Sequence, residues 1–341
     1  MGQSVPCHYI PRRIPYLTDA PYLILDVVKD GRMLSDSWGE MSHERSRRMT
    51  VFAGIARIML SISAQTFSHI GSLTIDDQGV ISLTNRPLTF SIHQLENDGV
   101  SSGIARDRTY TETDSYYSDL LNTHDNRLRD MANSINNTRD GELQLSVLTI
   151  MRALSGRYTN SGLRRGPFAL MLTDLHQSNI FVDENWHITA LIDLEWACVQ
   201  PLEMLQPPYW LTDRTIDDLK GENLEDYNER RLEFMAAFER EEETFKGLGL
   251  SRTQTMNKGW KIGNFWYFHA LDAVVGICNL YKHHIQPDFA SKLDVNADFD
   301  RLISAYWAPK SPDFIATKIE ERKRYQDRIR DFFAEELGKQ R

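Results

Sequence analysis

Three oxygen-bearing side chains, Asp174, Asn179 and Asp193, are spaced so that chemistry could take place between them. Asp174 and Asn179 flank a short loop between two predicted strands, and Asp193 ends the next predicted strand. A hairpin with that loop geometry can bring all three side chains to one place. Carboxylate and amide oxygens are hard ligands that suit Mg²⁺, which takes its other ligands from water and substrate phosphates. A further carboxylate that does not bind the metal could orient an attacking hydroxyl or accept its proton.

The same residues have a plainer interpretation, because Asp and Asn favour loops and turns for local reasons. The spacing of Asp174 and Asn179 alone is therefore weak evidence, and the strand–loop–strand–strand context with the downstream Asp193 strengthens it. For the polar residues next to these three, structural roles are the better interpretation. We expect His176 to pack or hydrogen-bond within the loop, Asp183 to form a turn, and Glu195 to form a salt bridge.

The elements that must position these residues follow from hydrophobic periodicity. Three short strand-like runs, at 168–172, 179–183 and 187–193, form a small β-cluster near the middle of the chain. An earlier apolar run at 21–28 is also of strand length, and 72–84 predicts a hairpin around Asp-Asp-Gln-Gly. Helical patterns surround the cluster: one begins at Ser42 as its cap, one runs from Tyr117 to Ile135, and others cover 141–158, 224–247, 254–284 and 315–337.

Composition narrows the class of protein. The 341 residues are enough for one large domain or two modest ones, and 41% hydrophobic content is ordinary for a globular chain. A net charge of −9 without a long basic run argues against a nucleic-acid partner. No run of 18 apolar residues predicts a membrane span. The three cysteines, Cys7, Cys198 and Cys278, do not suggest a disulfide framework, and no secretory signal is visible, so we expect a cytoplasmic protein.

The stretch around the three polar residues resembles the aminoglycoside phosphotransferase-like family, and in particular its fungal members. It reads FALMLTDLHQSNIFVDENWHITALIDLEWACVQPLEMLQPPYWLT (168–212), and PYLILDVV (21–28) fits the same group. The resemblance implies a kinase-like fold that transfers the γ-phosphoryl of ATP, or another nucleoside triphosphate, to a small-molecule hydroxyl with Mg²⁺. Matched by position, Asp174 is the catalytic-loop Asp, and Asn179 and Asp193 are the metal ligands.

The resemblance also implies that Leu25, Asp26 and Val27 form the hinge whose backbone meets adenine. In this family an N-terminal lobe, with a phosphate-covering loop and an ATP-contacting Lys, precedes that hinge. Only twenty residues precede Pro21 here. The predicted fold is therefore α+β, with 1–28 a remnant of the N-lobe and hinge strand. Residues 29–341 form a mostly helical C-terminal lobe that carries its catalytic β-cluster at 168–195.

The missing lobe predicts a weak or inactive phosphotransferase unless other residues complete the site, since phosphoryl transfer depends on positioning and charge stabilisation. The alternative is a non-catalytic binding or scaffold protein of the pseudokinase type. A metal-dependent hydrolase using Asp174, His176 and Asp193 is disfavoured, because that spacing matches no defensible ligand pattern.

Overall fold

The computed structural model describes residues 7–8, 24–25, 27–273, 275–290 and 297–339. It is mixed in class, mostly helical, with small antiparallel sheets. The strands are β1 Cys7–His8, β2 Ile24–Leu25, β3 Arg32–Met33, β4 Thr66–Phe67, β5 Ser72–Ile75, β6 Ile81–Asn85, β7 Phe168–Leu172, β8 Ile180–Val182, β9 Ile188–Leu191 and β10 Ala197–Pro201. The helices are α1 Ser35–Met41, α2 Arg45–Ser63, α3 Phe90–Asn97, α4 Thr113–Asp130, α5 Thr138–Tyr158, α6 Glu222–Thr244, α7 Arg252–Ile262, α8 Asn264–Asp272, α9 Ile277–Leu280, α10 Gln286–Ala290, α11 Ala297–Ser304 and α12 Ser311–Lys339.

The chain divides into two compact units. The first comprises 1–65, 171–197 and 207–253, and the second comprises 66–170, 198–206 and 254–341. These units are defined by the packing of residues within each of them. The predicted boundary between residues 28 and 29 instead separates a remnant of a kinase N-lobe from a C-terminal lobe, and it stays a prediction.

In the first unit, a three-stranded sheet of order β3-β8-β9 carries the predicted catalytic segment. β3 pairs with β8 through Arg32 and Val182, and β8 pairs with β9. Gly31 makes the first pairing possible, because its backbone has φ +102° and a Cβ there would lie 2.6 Å from the Val182 carbonyl oxygen. An L-residue at this position would push β3 away from β8.

Helices and tryptophans back this sheet. α2 lies against β9, where Gly54 is so close that a Cβ would come within 2.9 Å of Ile188 Cδ1. The buried Trp38 of α1 stacks on Trp186 of the β8–β9 turn, with ring centroids 5.2 Å apart and planes 10° apart. Stacked and edge-on aromatic pairs contribute about 0.5–1.5 kcal/mol each beyond their buried area. The turn between β8 and β9 is therefore fixed to the helical part of the unit.

α2 and α6 form the outer pair of helices in this unit. Phe52 and Phe234 meet edge to face, with centroids 5.5 Å apart. Beside them, the buried Arg48 donates two hydrogen bonds to Glu233, from Nε at 2.7 Å and from a terminal guanidinium nitrogen at 2.9 Å. A bidentate pair of this kind fixes the register of one helix on the other.

The second unit packs α4, α5, α8, α11 and α12 beside a sheet of order β10-β7-β4. β5 and β6 form the predicted hairpin, with Ile75 opposite Ile81. Inside the helical part, the carboxylate of the buried Glu203 accepts hydrogen bonds from the Tyr117 hydroxyl and the Asn160 backbone N–H, both at 2.8 Å. Burial raises the pKa of Glu203 to about 7, although both hydrogen bonds oppose the shift.

Several predicted elements are confirmed: the strand 168–172 has the predicted bounds, the run 179–183 contains the strand Ile180–Val182, and the predicted helix 141–158 lies within Thr138–Tyr158. The cap at Ser42 is wrong. Ser42 ends α1, its N–H donating to the Trp38 carbonyl, and α2 starts three residues later with Glu44 as its N-cap. The predicted helix 254–284 is interrupted at Gly263, which adopts a left-handed conformation with φ 86°. Of the predicted strand 21–28, only Ile24–Leu25 is a strand among the described residues.

The described helices include none that combines the length and the apolar character needed to cross a bilayer. Even the longest, α12, carries charged residues along its whole length.

Glu203 generates a testable pH dependence. Its pKa is raised in the folded state, so between about pH 4.5 and 7 the folded chain binds more protons than the unfolded one. Stability should therefore decline as the pH rises through this window, by about 3 kcal/mol at most. The variant Glu203→Gln mimics the protonated side chain and should lose this decline. Urea denaturation of both proteins at pH 5 and pH 7.5 checks it. Parallel pH profiles for the two proteins would contradict the assignment.

Candidate active site

The loop 173–179 joins β7 to β8 and is held by hydrogen bonds within itself. The His176 N–H donates to the Asp174 carbonyl and the Asn179 N–H to the His176 carbonyl, both at 2.9 Å. A single helical turn, Gln177–Asn179, closes the loop, and the His176 side chain caps it by accepting from the Ser178 N–H. Local turn chemistry therefore explains the shape of the loop.

Asn179 fixes Asp174. The Asn179 side chain is buried, and its Nδ2 donates to the Asp174 carbonyl oxygen at 2.9 Å and to the Asp174 carboxylate at 3.2 Å. With both amide protons committed, the remaining polar atom is Oδ1, which accepts from the Ser178 hydroxyl at 3.3 Å. Since a carbonyl oxygen has two lone pairs, Oδ1 keeps the capacity to accept from one further partner or to bind a cation.

Asp193 reaches the same place from β9. The N–H of Ile192 donates to the Asn179 carbonyl at 3.1 Å, which joins the two segments directly before Asp193. Asp193 then adopts a left-handed backbone, with φ 55° and ψ 50°. Asp tolerates this conformation better than most residues, but it still costs about 1–2 kcal/mol. Such strain concentrates at functional sites, where the surrounding structure holds it in place.

The three residues line one small cavity within the first unit. The cavity opens to solvent, and its empty volume is about 220 Å³. The remaining lining is mostly apolar and is formed by Leu172, Leu175, Leu191, Ile192, Leu194, Trp196 and Ala197. The predicted convergence of Asp174, Asn179 and Asp193 is therefore present.

Electrostatics distinguish the two carboxylates. Burial raises the pKa of Asp174 above its ordinary value, and the nearby charges of Asp193 and Glu195 raise it further. The hydrogen bond from Asn179 and the proximity of His176 oppose this rise. Asp193 is exposed and forms no hydrogen bond or ion pair with the side chains that the structure describes. The Asp174 carboxylate is thus half-buried and held by a hydrogen bond from Asn179, whereas the Asp193 carboxylate is open to solvent.

The structural roles expected of His176, Asp183 and Glu195 can be compared with the structure. His176 packs on Trp210, with ring centroids 5.9 Å apart, and burial lowers its pKa, so the expectation of a packing role is confirmed. Asp183 is the predicted turn residue, since its Oδ1 accepts from the N–H groups of Asn185 and His187, each at 2.9 Å. The expected salt bridge of Glu195 is wrong. Its side chain is exposed and pairs with no cation among the described residues.

The donor set fits Mg²⁺ better than a transition metal. No cluster of three or more His, Cys, Asp or Glu with metal-binding geometry is found in the ranges that the structure describes. Mg²⁺ does not require such a cluster, because it binds one or two carboxylates and takes other ligands from water and phosphates. Asn179 Oδ1 and the Asp193 carboxylate, lining one cavity, supply ligands of that kind.

The predicted hinge is not connected to this cavity by any described contact. Leu25 lies on β2 and pairs with Cys7 of β1, while Asp26 lies outside the described residues. Val27 is 80% exposed and is not among the residues that line the cavity. Their role in meeting adenine stays a prediction.

Sequence reasoning missed the residues that hold the loop from outside. The indole N–H of Trp210 donates to the Leu175 carbonyl at 2.8 Å, and Gln177 donates to Asp213 at 2.6 Å. The apolar character of Trp210, in PPYWLT, indicates a buried side chain, but nothing in the sequence indicates its hydrogen-bond partner. Such a partner depends on a tertiary contact between segments 35 residues apart.

Comparison of the chain with protein-family models, with curated proteins and with solved structures finds no match.

The environment of Asp174 predicts two opposite shifts of its pKa. Asn179→Ala removes a hydrogen bond to the carboxylate and should raise the pKa further. Glu195→Gln removes a neighbouring negative charge and should lower it. Titration of the Asp174 carboxyl carbon by ¹³C NMR measures both shifts, with wild type as reference. Shifts of the same sign, or none in either variant, would show that these groups do not share one site.

Proposed function

We propose that this protein is a small-molecule phosphotransferase of the aminoglycoside phosphotransferase-like kind, which moves the γ-phosphoryl of ATP to a hydroxyl acceptor with Mg²⁺. The observation that carries the proposal is the meeting of Asp174, Asn179 and Asp193 at one cavity, from a loop and a strand end nineteen residues apart. Turn chemistry alone explains each residue in its own turn. It does not require that the three line the same cavity.

Asp174 is proposed to orient the acceptor hydroxyl and to take its proton. Asn179 holds the Asp174 carboxylate in one orientation before substrate binds. The side chain therefore loses little conformational entropy when substrate binds. Its raised pKa favours proton acceptance, since a base whose pKa lies nearer the working pH is the better one. A residue in this role contributes about 10²–10⁴ in rate.

Asn179 and Asp193 are proposed to hold the metal. When bound, Mg²⁺ neutralises charge on the phosphate oxygens. Asn179 contributes a neutral oxygen whose direction is set by the bonds of its own amide nitrogen, and Asp193 contributes an exposed carboxylate. The left-handed backbone of Asp193 gives the strand end an abrupt turn, and this strain supports a functional role for the residue.

The kinase-like fold is part of the proposal. Its support is the sheet β3-β8-β9, which places the loop and the Asp193 turn side by side and is backed by α2 within the same unit. The adenine site at Leu25, Asp26 and Val27, and the fungal phosphotransferase group, are proposed on the resemblance in sequence.

The test is a transfer assay with [γ-³²P]ATP, Mg²⁺ and a panel of hydroxyl acceptors that includes amino sugars, simple sugars and amino alcohols. Asp174→Asn keeps the shape of the side chain and removes its basicity. We expect turnover to fall by about 10²-fold or more. Because Asp174 lies in a loop, the urea midpoint should stay near that of wild type.

The matched control is Glu184→Gln, which removes the same charge from an exposed residue of the β8–β9 turn. This variant should turn over like wild type. Equal turnover in Asp174→Asn and Glu184→Gln would exclude Asp174 as the base. Absence of transfer by wild type with every acceptor would contradict the proposed activity and favour a non-catalytic binding protein.

A further inference from the structure

A segment outside the cavity, residues 208–213, is bonded to the loop of Asp174. The indole N–H of Trp210 donates to the Leu175 carbonyl at 2.8 Å. Trp210 is 1% exposed and packs edge-on against Trp38, with centroids 5.5 Å apart. The carbonyl of Pro208 accepts from the hydroxyl of Tyr227, a fully buried residue of α6. The segment is therefore anchored to the core of the first unit on one side and to the loop on the other.

A second contact of this segment with the loop is made by Gln177. Gln177 lies between Asp174 and Asn179, is 7% exposed, and donates from Nε2 to Asp213 Oδ1 at 2.6 Å. The acceptor is a charged carboxylate on an exposed residue, and a hydrogen bond to a charged group is stronger than one between neutral groups. Gln177 is also the first residue of the helical turn that ends at Asn179, so this bond joins the segment to that turn.

Two features of the Gln177–Asp213 pair are energetically unfavourable. Asp213 has a left-handed backbone with φ 57°, and its N–H closes a turn onto the Trp210 carbonyl at 2.8 Å. The Oε1 atom of Gln177 is buried without a hydrogen-bond partner in the described structure. Both features destabilise the folded state. An apolar side chain at 177 would avoid the second cost but would lose the hydrogen bond to Asp213.

We infer that Gln177 and Asp213 form a positioning pair, which sets the orientation of the Asp174 carboxylate and of Asn179 Oδ1. Neither residue lines the cavity, so the pair acts through the loop and does not touch bound metal or substrate. The contacts of Gln177 and Asp213 do not depend on the proposed function, whereas their consequence for metal binding rests on it. Loss of the Gln177–Asp213 bond frees the turn Gln177–Asn179 to rotate, which weakens the bonds between Asn179 and Asp174.

Two variants of Asp213 separate the hydrogen bond from the backbone strain. Asp213→Gly removes the acceptor and relieves the left-handed strain, since glycine adopts positive φ freely. Asp213→Asn keeps an acceptor oxygen, removes the charge and still tolerates the left-handed conformation. A purely structural role through strain predicts that the Gly variant is the better tolerated. A positioning role predicts the reverse.

The first readout is the Asn179 side-chain amide in ¹H–¹⁵N spectra, identified by its absence in Asn179→Ala. In Asp213→Gly its protons should exchange with solvent about tenfold faster, the effect of losing about 1.4 kcal/mol of hydrogen bonding. In Asp213→Asn the rate should stay near that of wild type. Gln177→Leu should match Asp213→Gly, and the two changes together should add little, because both break one bond. Unchanged exchange in both Asp213→Gly and Gln177→Leu would overturn the inference.

The second readout is Mn²⁺ binding, followed by the EPR signal of the free ion. Residues that orient metal ligands typically contribute about 10–100-fold to metal affinity, and we expect a loss of that size in Asp213→Gly and a smaller one in Asp213→Asn. Faster exchange with weaker Mn²⁺ binding supports both proposals. Faster exchange with Mn²⁺ binding that even Asn179→Ala leaves unchanged would overturn the metal site of the proposed function and leave the positioning pair in place.

Discussion

The bonds of Asn179 are the constraint on which the candidate site depends. Its side-chain amide nitrogen donates to both the carbonyl and the carboxylate of Asp174, and its backbone carbonyl accepts from the N–H of Ile192, directly before Asp193. One buried residue thus connects the loop after β7 with the end of β9. Because a buried amide must satisfy its polar atoms, the orientation of Asn179 is determined by these partners. The side-chain bonds of Asn179 hold Asp174, and its backbone bond to Ile192 places Asp193 at the same cavity.

Contacts elsewhere in the first unit support this junction. The sheet β3-β8-β9 supplies the two strand ends, α2 supports β9 through the close approach of Gly54 to Ile188, and Trp38 with Trp186 fixes the β8–β9 turn. Two left-handed residues, Asp193 and Asp213, lie at the edges of the site. Strain in a well-supported region is typical of sites where orientation matters more than stability.

Much of the local structure could be predicted from the sequence, because it depends on local patterns. The apolar run FALML and the turn residue Asp183 predict the strands around the loop, and the spacing of Asp174, Asn179 and Asp193 predicts the three polar residues of the cavity. What failed depends on tertiary contacts. The prediction of a helix start at Ser42 is wrong because the two-turn helix α1, held by the buried Trp38, is too short to show a period. The hydrogen bond between Gln177 and Asp213 leaves no trace in either segment, since any polar residue suits an isolated loop.

The proposed binding of a nucleotide to this cavity through a metal is tested most directly by a thermal-shift titration with Mg·ATP. A ligand at about 100 times its Kd stabilises the folded chain by about 2.7 kcal/mol, which raises the melting temperature visibly. We expect such a shift for wild type, its loss when EDTA replaces Mg²⁺, and its loss in Asp193→Ala. An equal shift in Asp193→Ala, or none in wild type at millimolar Mg·ATP, would contradict it.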